Sequence, residues 1–404
     1  MYEFTAEATE KEYSEFLERT PHYSVMQAPQ WAEVKSGWGH SFCLLYKDGT
    51  AAAGALLLIR KLPMGIKIIY SPRGYVADYS DKELIRAFTQ GVKAYAKKIG
   101  AYVIKIDPEI TLSRTYLGST TPDEDGIEQM RSLTEEGYLH MGFDKGFSKY
   151  AQPRYNAVYS LTNEDGSPKT DEQILAGYNR RIRKYIGEYT RKRGLSFIHS
   201  TDEEKIGDFM ALSACTEKRQ HILQRDEAYF RRMKHAYGDK NIFFFARMNF
   251  DELLAHIDAA LKKDDANKES LLKDRQRALE LKAEYGDETP VSAMNTVMCS
   301  DTVYFMYSGF NDQIFSRYRS TLQIRYEAMR YFRDMGMKYA SFMGIHGDLN
   351  DSLAEFKLKF NPTVTEFAGE FELPVKPLMY KIMTKALPAA RRIYIKLMLK
   401  LKGR

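Results

Sequence analysis

Two stretches of this chain repeat one order of elements, and the repeat limits the available folds more than any other feature. The first runs from His40 to Asp107. Apolar Ser41–Tyr46 predicts a strand that meets the turn Lys47-Asp48-Gly49, a hairpin signal. Strands over Ala53–Ile59 and Lys67–Ser71 follow. Leu84, Phe88, Val92, Tyr95 and Ile99 then fall on one helical face, which predicts a helix from about Lys82 to Ile99. Gly100 ends it, and Tyr102–Ile106 is the next strand. The second stretch, Asn241 to Gly344, repeats the order with strands Ile242–Arg247, Val291–Met298 and Val303–Tyr307, a helix over Thr321–Met335, Gly336, and strand Tyr339–Met343. Identity between the copies is low, but order and spacing agree across Tyr95–Tyr102 and Tyr331–Lys338. Two copies of one α+β module are expected.

The second copy carries an insertion, Asp251–Gly286, between its first two strands. Of the 35 residues Asp251–Tyr285, 16 are charged, so only a narrow apolar stripe remains to be covered. Leu254, Ile257 and Leu261 make one stripe; Leu272 and Leu279, with Ala278 beside them, make another. Asp264-Asp265-Ala266-Asn267 offers the turn between them. The expectation is an antiparallel two-helix coiled-coil arm standing away from the body. Such an arm serves as a homodimer contact, as decoration, or as a grip on tRNA.

Charge is concentrated in two places. Between Leu373 and Arg404 there are nine basic residues and no acid, and removing them turns the net +6 into −3. Within Ala389–Leu401, Arg392, Lys396 and Lys400 fall on one helical side and Tyr394, Leu397, Met398 and Leu401 on the other. The tail 377–404 therefore reads as a basic amphipathic helix for an anionic membrane surface, or as a helix docked on its own domain. Arg180, Arg181, Arg183, Lys184, Arg191, Lys192 and Arg193, interleaved with Tyr185 and Tyr189, face a single acid, Glu188. That run is either a solvated helix face or a contact for phosphate-rich nucleic acid.

The longest apolar run, Ala51–Ile59, is nine residues, short of the roughly 20 a spanning helix needs. Met1 leads directly into Tyr2-Glu3-Phe4, without a secretory signal's apolar core. Cys43, Cys215 and Cys299 are odd in number and far apart, which fits a reducing cytoplasm. The eight histidines show no spacing of the His-Glu-x-x-His kind, so no metal is expected.

The module order resembles the acyl-CoA N-acyltransferase fold. That fold holds a pyrophosphate on a Gln/Arg-x-x-Gly-x-Gly/Ala turn at a helix N-terminus, and the equivalent segments here read Tyr79-Ser80-Asp81-Lys82 and Arg317-Tyr318-Arg319-Ser320-Thr321. No coenzyme A donor, and no other cofactor, is expected. Four further segments resemble the FemABX aminoacyltransferases over about residues 1–375. They are Gln27-Ala28-Pro29-Gln30-Trp31-Ala32-Glu33-Val34-Lys35, Ser71-Pro72-Arg73-Gly74-Tyr75, Ile104-Lys105-Ile106-Asp107-Pro108, and Glu355-Phe356-Lys357-Leu358-Lys359-Phe360-Asn361-Pro362, which continues into Glu366-Phe367-Ala368-Gly369-Glu370-Phe371. The likeness is greatest to arm-bearing members such as the lipid II:glycine glycyltransferase group.

The resemblance implies two tandem modules, 1–150 (completed by 363–376) and 151–362, with the arm at 251–286. It implies transfer of glycine, alanine or serine from aminoacyl-tRNA to a stem-peptide amine of a peptidoglycan precursor, either lipid II or UDP-MurNAc-pentapeptide. Lys35 would bind the precursor's diphosphate, as would Arg225 and Tyr229, four apart on one helical face. Tyr102 matches a position near the substrate. Asp107, at a strand end, would hold or deprotonate the incoming ammonium; without a ligand it is a turn or capping aspartate. Phe356 would stack on the terminal adenosine, and Lys357 would stabilise the oxyanion or the leaving ribose oxygen. Leu353, Phe356 and Phe360 also have core spacing. Tyr304 and Tyr307 are further pocket candidates. A tRNA- or membrane-binding adaptor with a degenerate site, and an N-acyltransferase of a small amine, are the alternatives. An enzyme of this kind belongs in the cytoplasm, peripheral to the inner face of the membrane when lipid II is the acceptor.

Overall fold

The structure is a computed structural model that describes residues 1–148, 151–187, 194–220, 224–263, 267–314 and 320–386. The amphipathic helix expected over Ala389–Leu401, the Arg191-Lys192-Arg193 end of the basic run, Asp264-Asp265-Ala266 and Arg317-Tyr318-Arg319 lie outside those residues. The chain divides into two compact units. Unit 1 comprises Met1–Arg114, Thr120–Tyr155 and the chain from Thr365 onward; unit 2 comprises Thr115–Ser119 and Asn156–Val364.

Unit 1 is built on a seven-stranded sheet. Its order is Tyr2–Ala8, Gly39–Lys47, Thr50–Lys61, Lys67–Ser71, Ala101–Ile106, Phe371–Pro374 and Leu139–His140. The hairpin turns at Asp48 (φ 51°) and Gly49 (φ 81°), both left-handed, between the paired Lys47 and Thr50. Lys67–Ser71 and Ala101–Ile106 run parallel, so the chain must cross over, and it does so through the helix Lys82–Ile99. Asp81 Oδ1 accepts from Leu84 N at 3.0 Å, a cap worth about 1 kcal/mol. Gly100, at φ 82°, closes the other end. Leu84, Phe88, Val92 and Ala96 are buried on the sheet.

Unit 2 repeats the run. Its strands Leu195–Ser200, Asn241–Asn249, Glu288–Cys299 and Thr302–Phe310 are antiparallel neighbours. Tyr339–Ile345 joins Thr302–Phe310 in parallel after the helix Ser320–Asp334, and Tyr155–Ser160 lies beyond it. Alternation along Asn241–Asn249 feeds two cores. Phe243 packs on Phe209 at 5.5 Å on one face, and Phe244 packs on Phe332 at 5.4 Å on the other.

The insertion forms two helices, Phe250–Leu261 and Lys268–Tyr285. Arg275–Asp258 (2.7 Å) and Lys282–Asp251 (2.6 Å) tie them together. Two expectations need correcting here. The pair does not stand clear of the body, because Leu253, Ile257, Ala278 and Leu281 share a core with Ala246, Met248 and Val291 of the sheet. Nor do Leu272 and Leu279 make the buried stripe: they are exposed, and Ala278 and Leu281 take that role because the partner helix offers Leu253 and Ile257. No helix among the described residues is long and apolar enough to cross a membrane. Cys43 is fully buried, and burial pushes its thiol well up.

Candidate active site

In unit 1 the candidate residues gather where the strand Ala101–Ile106 ends. Asp107 follows it and is buried. Its Oδ1 accepts from Arg73 N at 2.5 Å, and its Oδ2 from Tyr70 OH and Gln152 N, both at 2.6 Å. Burial pushes the carboxyl above its ordinary range, against the opposing pull of the Arg73 guanidinium and the three donors. Arg73 sits at φ 61° and Gly74 at φ 74°, and a Cβ on Gly74 would meet Pro108 Cα at 2.6 Å. The Ser71–Tyr75 segment therefore needs its glycine: the turn lies directly on Pro108, and Asp107 anchors it. Both carboxylate oxygens are engaged by these donors, and through them Asp107 fixes Tyr70 and the Arg73 turn.

The first segment packs on the same turn. Gln27 is buried; its Nε2 donates to Pro72 O at 2.6 Å and Ser71 Oγ at 3.1 Å, and its Oε1 accepts from Leu56 N at 2.9 Å. From there the short helix Gln30–Val34 leads to Lys35, half-buried, with its ammonium 5.1 Å from the Trp31 ring centre. Lys35 O accepts from Trp38 N, and Trp38 lies 6.5 Å from Tyr70. Lys35 is thus linked through Trp38 and Tyr70 to Asp107. Tyr102 is buried with Val103 and Tyr380. Beside it lies a group not singled out from sequence: Lys105 Nζ pairs with Glu370 and with Glu372 at 2.9 Å, and Tyr380 OH donates to Glu372. Burial works to lower the Lys105 pKa, but the two glutamates outweigh it and hold the ammonium above its usual range.

Unit 2 brings three candidates together. Asp226 caps the helix Glu227–Tyr237 by accepting from Tyr229 N at 2.9 Å. The Arg225 guanidinium lies 5.3 Å over the Tyr229 ring, and Tyr307 OH donates to Tyr229 OH at 3.1 Å. Burial, then Tyr307, pushes the Tyr229 phenol up, so it stays neutral. Tyr304 is instead a core residue of the strand, paired with Val297 and Ser341.

A second group in unit 2 surrounds the helix Ser352–Leu358, capped by Asp351 at Leu353 N (2.7 Å). Lys357 Nζ donates to Gly344 O at 2.7 Å and is buried. Burial first, and the nearby Arg325 second, bring its pKa down to about 7. Lys357 therefore gains and loses its proton near neutrality, which suits proton transfer as well as charge stabilisation. Phe356 is half-buried, with the Arg325 guanidinium 4.6 Å over its ring. The core stripe Leu353–Phe356–Phe360 is corrected: Phe360 is fully buried, but Leu353 is exposed because the short helix presents only Ala354 and Lys357 inward. Sequence reasoning missed Arg325. Its burial arises from partners distant in sequence, and the pattern Leu322-Gln323-Ile324-Arg325 reads as an ordinary amphipathic helix.

Comparison with known proteins adds to this geometry. The sequence matches the FemAB family over residues 8–278 and 261–387. It is 28% identical to the lipid II:glycine glycyltransferase of Staphylococcus aureus (strain bovine RF122 / ET3-1), covering 98% of each chain. It is 26% identical to the protein of that name from Staphylococcus haemolyticus (strain JCSC1435), covering 98% of this chain and 99% of the other. The crystal structure of FemX shares the fold, with a TM-score of 0.76 at 24% identity over 94% of this chain and 99% of that one.

Proposed function

Starting from the fact that the chain belongs to the FemAB family, we propose that it is a tRNA-dependent aminoacyltransferase of peptidoglycan cross-bridge synthesis. It moves glycine, alanine or serine from aminoacyl-tRNA to the stem-peptide side-chain amine of lipid II or of UDP-MurNAc-pentapeptide. One observation carries this reading: relatives named lipid II:glycine glycyltransferase align with this chain over 98% of its length.

The reaction is aminolysis of an ester that is already activated, so no covalent enzyme intermediate is required. The acceptor amine, as free base, attacks the aminoacyl carbonyl. A C–N bond forms, a tetrahedral oxyanion develops, and the C–O bond to the ribose breaks. The amine's proton ends on the ribose oxygen. Lys357 as an ammonium stabilises the oxyanion, and a pKa of about 7 lets it relay the proton, giving its own to the leaving oxygen and taking up the one the amine releases. Phe356 offers a ring face for the terminal base. In unit 1, Lys35 serves the precursor's diphosphate, while Tyr102 and Tyr70, the latter positioned by Asp107, line the peptide's path; in unit 2, Arg225 and Tyr229 offer a guanidinium and a phenol to phosphate.

The tandem-module arrangement and a tRNA grip by the helical pair are parts of the same proposal, as is a homodimer contact by that pair. The basic tail places the protein at the inner leaflet, where lipid II resides. The helix Pro377–Lys381 favours this, since Leu378 and Lys381 are exposed while Tyr380 is buried. The test is a transfer assay with lipid II and a panel of charged tRNAs, read by product mass. Gain of one amino-acyl residue at the stem-peptide amine supports the reading. An unmodified acceptor across the whole panel, with binding of both substrates retained, would make the protein an adaptor instead.

A further inference from the structure

The strand Tyr339–Ile345 serves two places in unit 2. Near its end, Gly344 O accepts from Lys357 Nζ. Tyr339 opens it five residues earlier, about 16 Å away at the usual rise of a strand. At that far end lies a cleft of about 1050 Å³, lined by unit 2 alone, that no step of the transfer uses. Tyr159 and Ser160, which end the strand Tyr155–Ser160, line it too, and Leu161 N donates to Lys338 O at 2.7 Å beside them. Small-ligand pockets run to about 1000 Å³, so the cleft has room for more than one ring.

The lining has no aliphatic side chain larger than Ala176, so it offers nothing to a lipid tail. Three tyrosines supply the apolar surface instead. Tyr159 is the buried floor: its OH donates to Ile174 O at 3.2 Å, and a Cβ on Gly177 would meet that hydroxyl at 2.5 Å. Tyr116 and Tyr339 are 50% and 38% exposed, so their rings are open to a ligand. Lys169 Nζ lies 4.8 Å over the Tyr159 ring and donates to Ser160 O at 2.9 Å. It is half-buried, burial lowers its pKa, and among the described residues it makes no ion pair. Asn163 and Gln173 bring amides, and Glu164 and Asp165 bring carboxylates on a loop closed by Asn163 N donating to Ser167 O at 2.8 Å. Two carboxylates against one ammonium disfavour a phosphate-rich ligand. A sugar ring fits what remains: its C–H faces lie on aromatic rings, and its hydroxyls both donate and accept, as amides, hydroxyls and carboxylates require. An acetamido substituent adds a carbonyl for Lys169, an N–H for a carboxylate and a methyl for a ring.

We propose that this cleft is a saccharide-binding site, separate from the transfer site, whose ligand is a chain of neutral N-acetylated amino sugars. Tyr116 and Tyr339 stack on the sugar faces, and Lys169 takes an acetamido carbonyl. The saccharide class rests on the lining alone; the choice of amino sugar also rests on the peptidoglycan reading. Occupancy there concentrates the protein on amino-sugar material while the transfer site stays open.

The experiment titrates the full-length protein with chitotriose, N-acetylglucosamine and maltotriose by isothermal titration calorimetry. Chitotriose should bind the wild type at least about fivefold more tightly than either of the others. Tyr116→Ala and Tyr339→Ala, both at exposed rings, should each weaken chitotriose binding by about fivefold or more. Lys169→Met should erase the preference over maltotriose, and the tyrosine variants keep the test decisive if it does not fold. All three variants should transfer the aminoacyl group at the wild-type rate, and Lys357→Met should bind chitotriose as the wild type does. No binding of chitotriose, full affinity in both tyrosine variants, or a loss in Lys357→Met would overturn the site. Equal affinity for maltotriose would overturn the amino-sugar assignment, and equal affinity for N-acetylglucosamine would overturn the chain in favour of a single sugar. Chitotriose binding without any aminoacyl transfer by the wild type would support the site and overturn the transferase reading instead.

Discussion

In unit 1 the charges near the candidate site are matched: buried Asp107 sits among three donors, and half-buried Lys105 lies between Glu370 and Glu372. In unit 2 Arg325 and Lys357 are both buried, and among the described residues no carboxylate makes an ion pair with either; Asp351 acts on Lys357 only as a weaker, more distant charge. A matched group is stable without ligand and holds a shape, here the turn at Arg73-Gly74 and the strand at Phe371. An unmatched group is poised for an anion from outside. The contrast sets Asp107, whose carboxylate is engaged by three donors, against the cations of unit 2, to which the proposed mechanism gives the chemistry.

The sharpest way to break that contrast is at Lys357. Lys357→Met should cut single-turnover transfer by at least about 10²-fold while donor binding is largely kept. A loss confined to donor affinity would move Lys357 from chemistry to binding.

Next in size is Asp107→Asn. If Asp107 is scaffolding, the variant leaves buried donors without acceptors and loses about 1–3 kcal/mol of stability, measured by denaturant unfolding. Activity per folded molecule should fall far less than for Lys357→Met. A stable but inactive Asp107→Asn would restore the carboxylate to a direct role.

The pH dependence sharpens the unit 2 side. Lys357 acts as a cation with a pKa of about 7, so the transfer rate constant should decline as pH rises through about 7. Arg325→Gln removes the neighbouring repulsion, so the decline should move to higher pH. The same depressed pKa makes the unfolded chain bind the extra proton between about 7 and the ordinary lysine value of 10.5, so this group's contribution makes stability rise with pH across that window. Lys357→Met should flatten that slope. A profile unchanged by Arg325→Gln would separate the two cations.

The smallest effect is expected from the tail. Deleting Leu378–Arg404 should slow transfer to lipid II several-fold at low ionic strength and leave the soluble precursor nearly unaffected. Equal slowing on both acceptors would mean that the tail supports the fold around Tyr102, where Tyr380 packs.

How far the sequence could be read depends on how local each cause is. The repeated run was legible because a helix stop at Gly100 or Gly336 and an apolar face at three- and four-residue spacing are local signals. The grouping of Arg225, Tyr229 and Tyr307 was half legible: Arg225 and Tyr229 do meet, but not on one helical face, because Asp226 caps the helix and Arg225 precedes it, and Tyr307 reaches them only through the sheet. Gln27 and Ser71 were visible as members of motifs, while the hydrogen bond between them, 44 residues apart, was not. Leu272 and Leu279 misled because a heptad spacing does not say which face a partner covers. Arg325 was invisible because its burial is made by Ser308 and Phe356, and no pattern along one helix reports that.

The most direct measurement follows a labelled amino acid from charged tRNA to lipid II in a single turnover, with wild type and Lys357→Met side by side and no coenzyme A present. The expected result is label appearing on lipid II at the rate at which it leaves the tRNA, with the variant at least about 100-fold slower. Label remaining on the tRNA with the wild type, or both proteins transferring it equally fast, would contradict the assignment of aminoacyl transfer to the cations of unit 2.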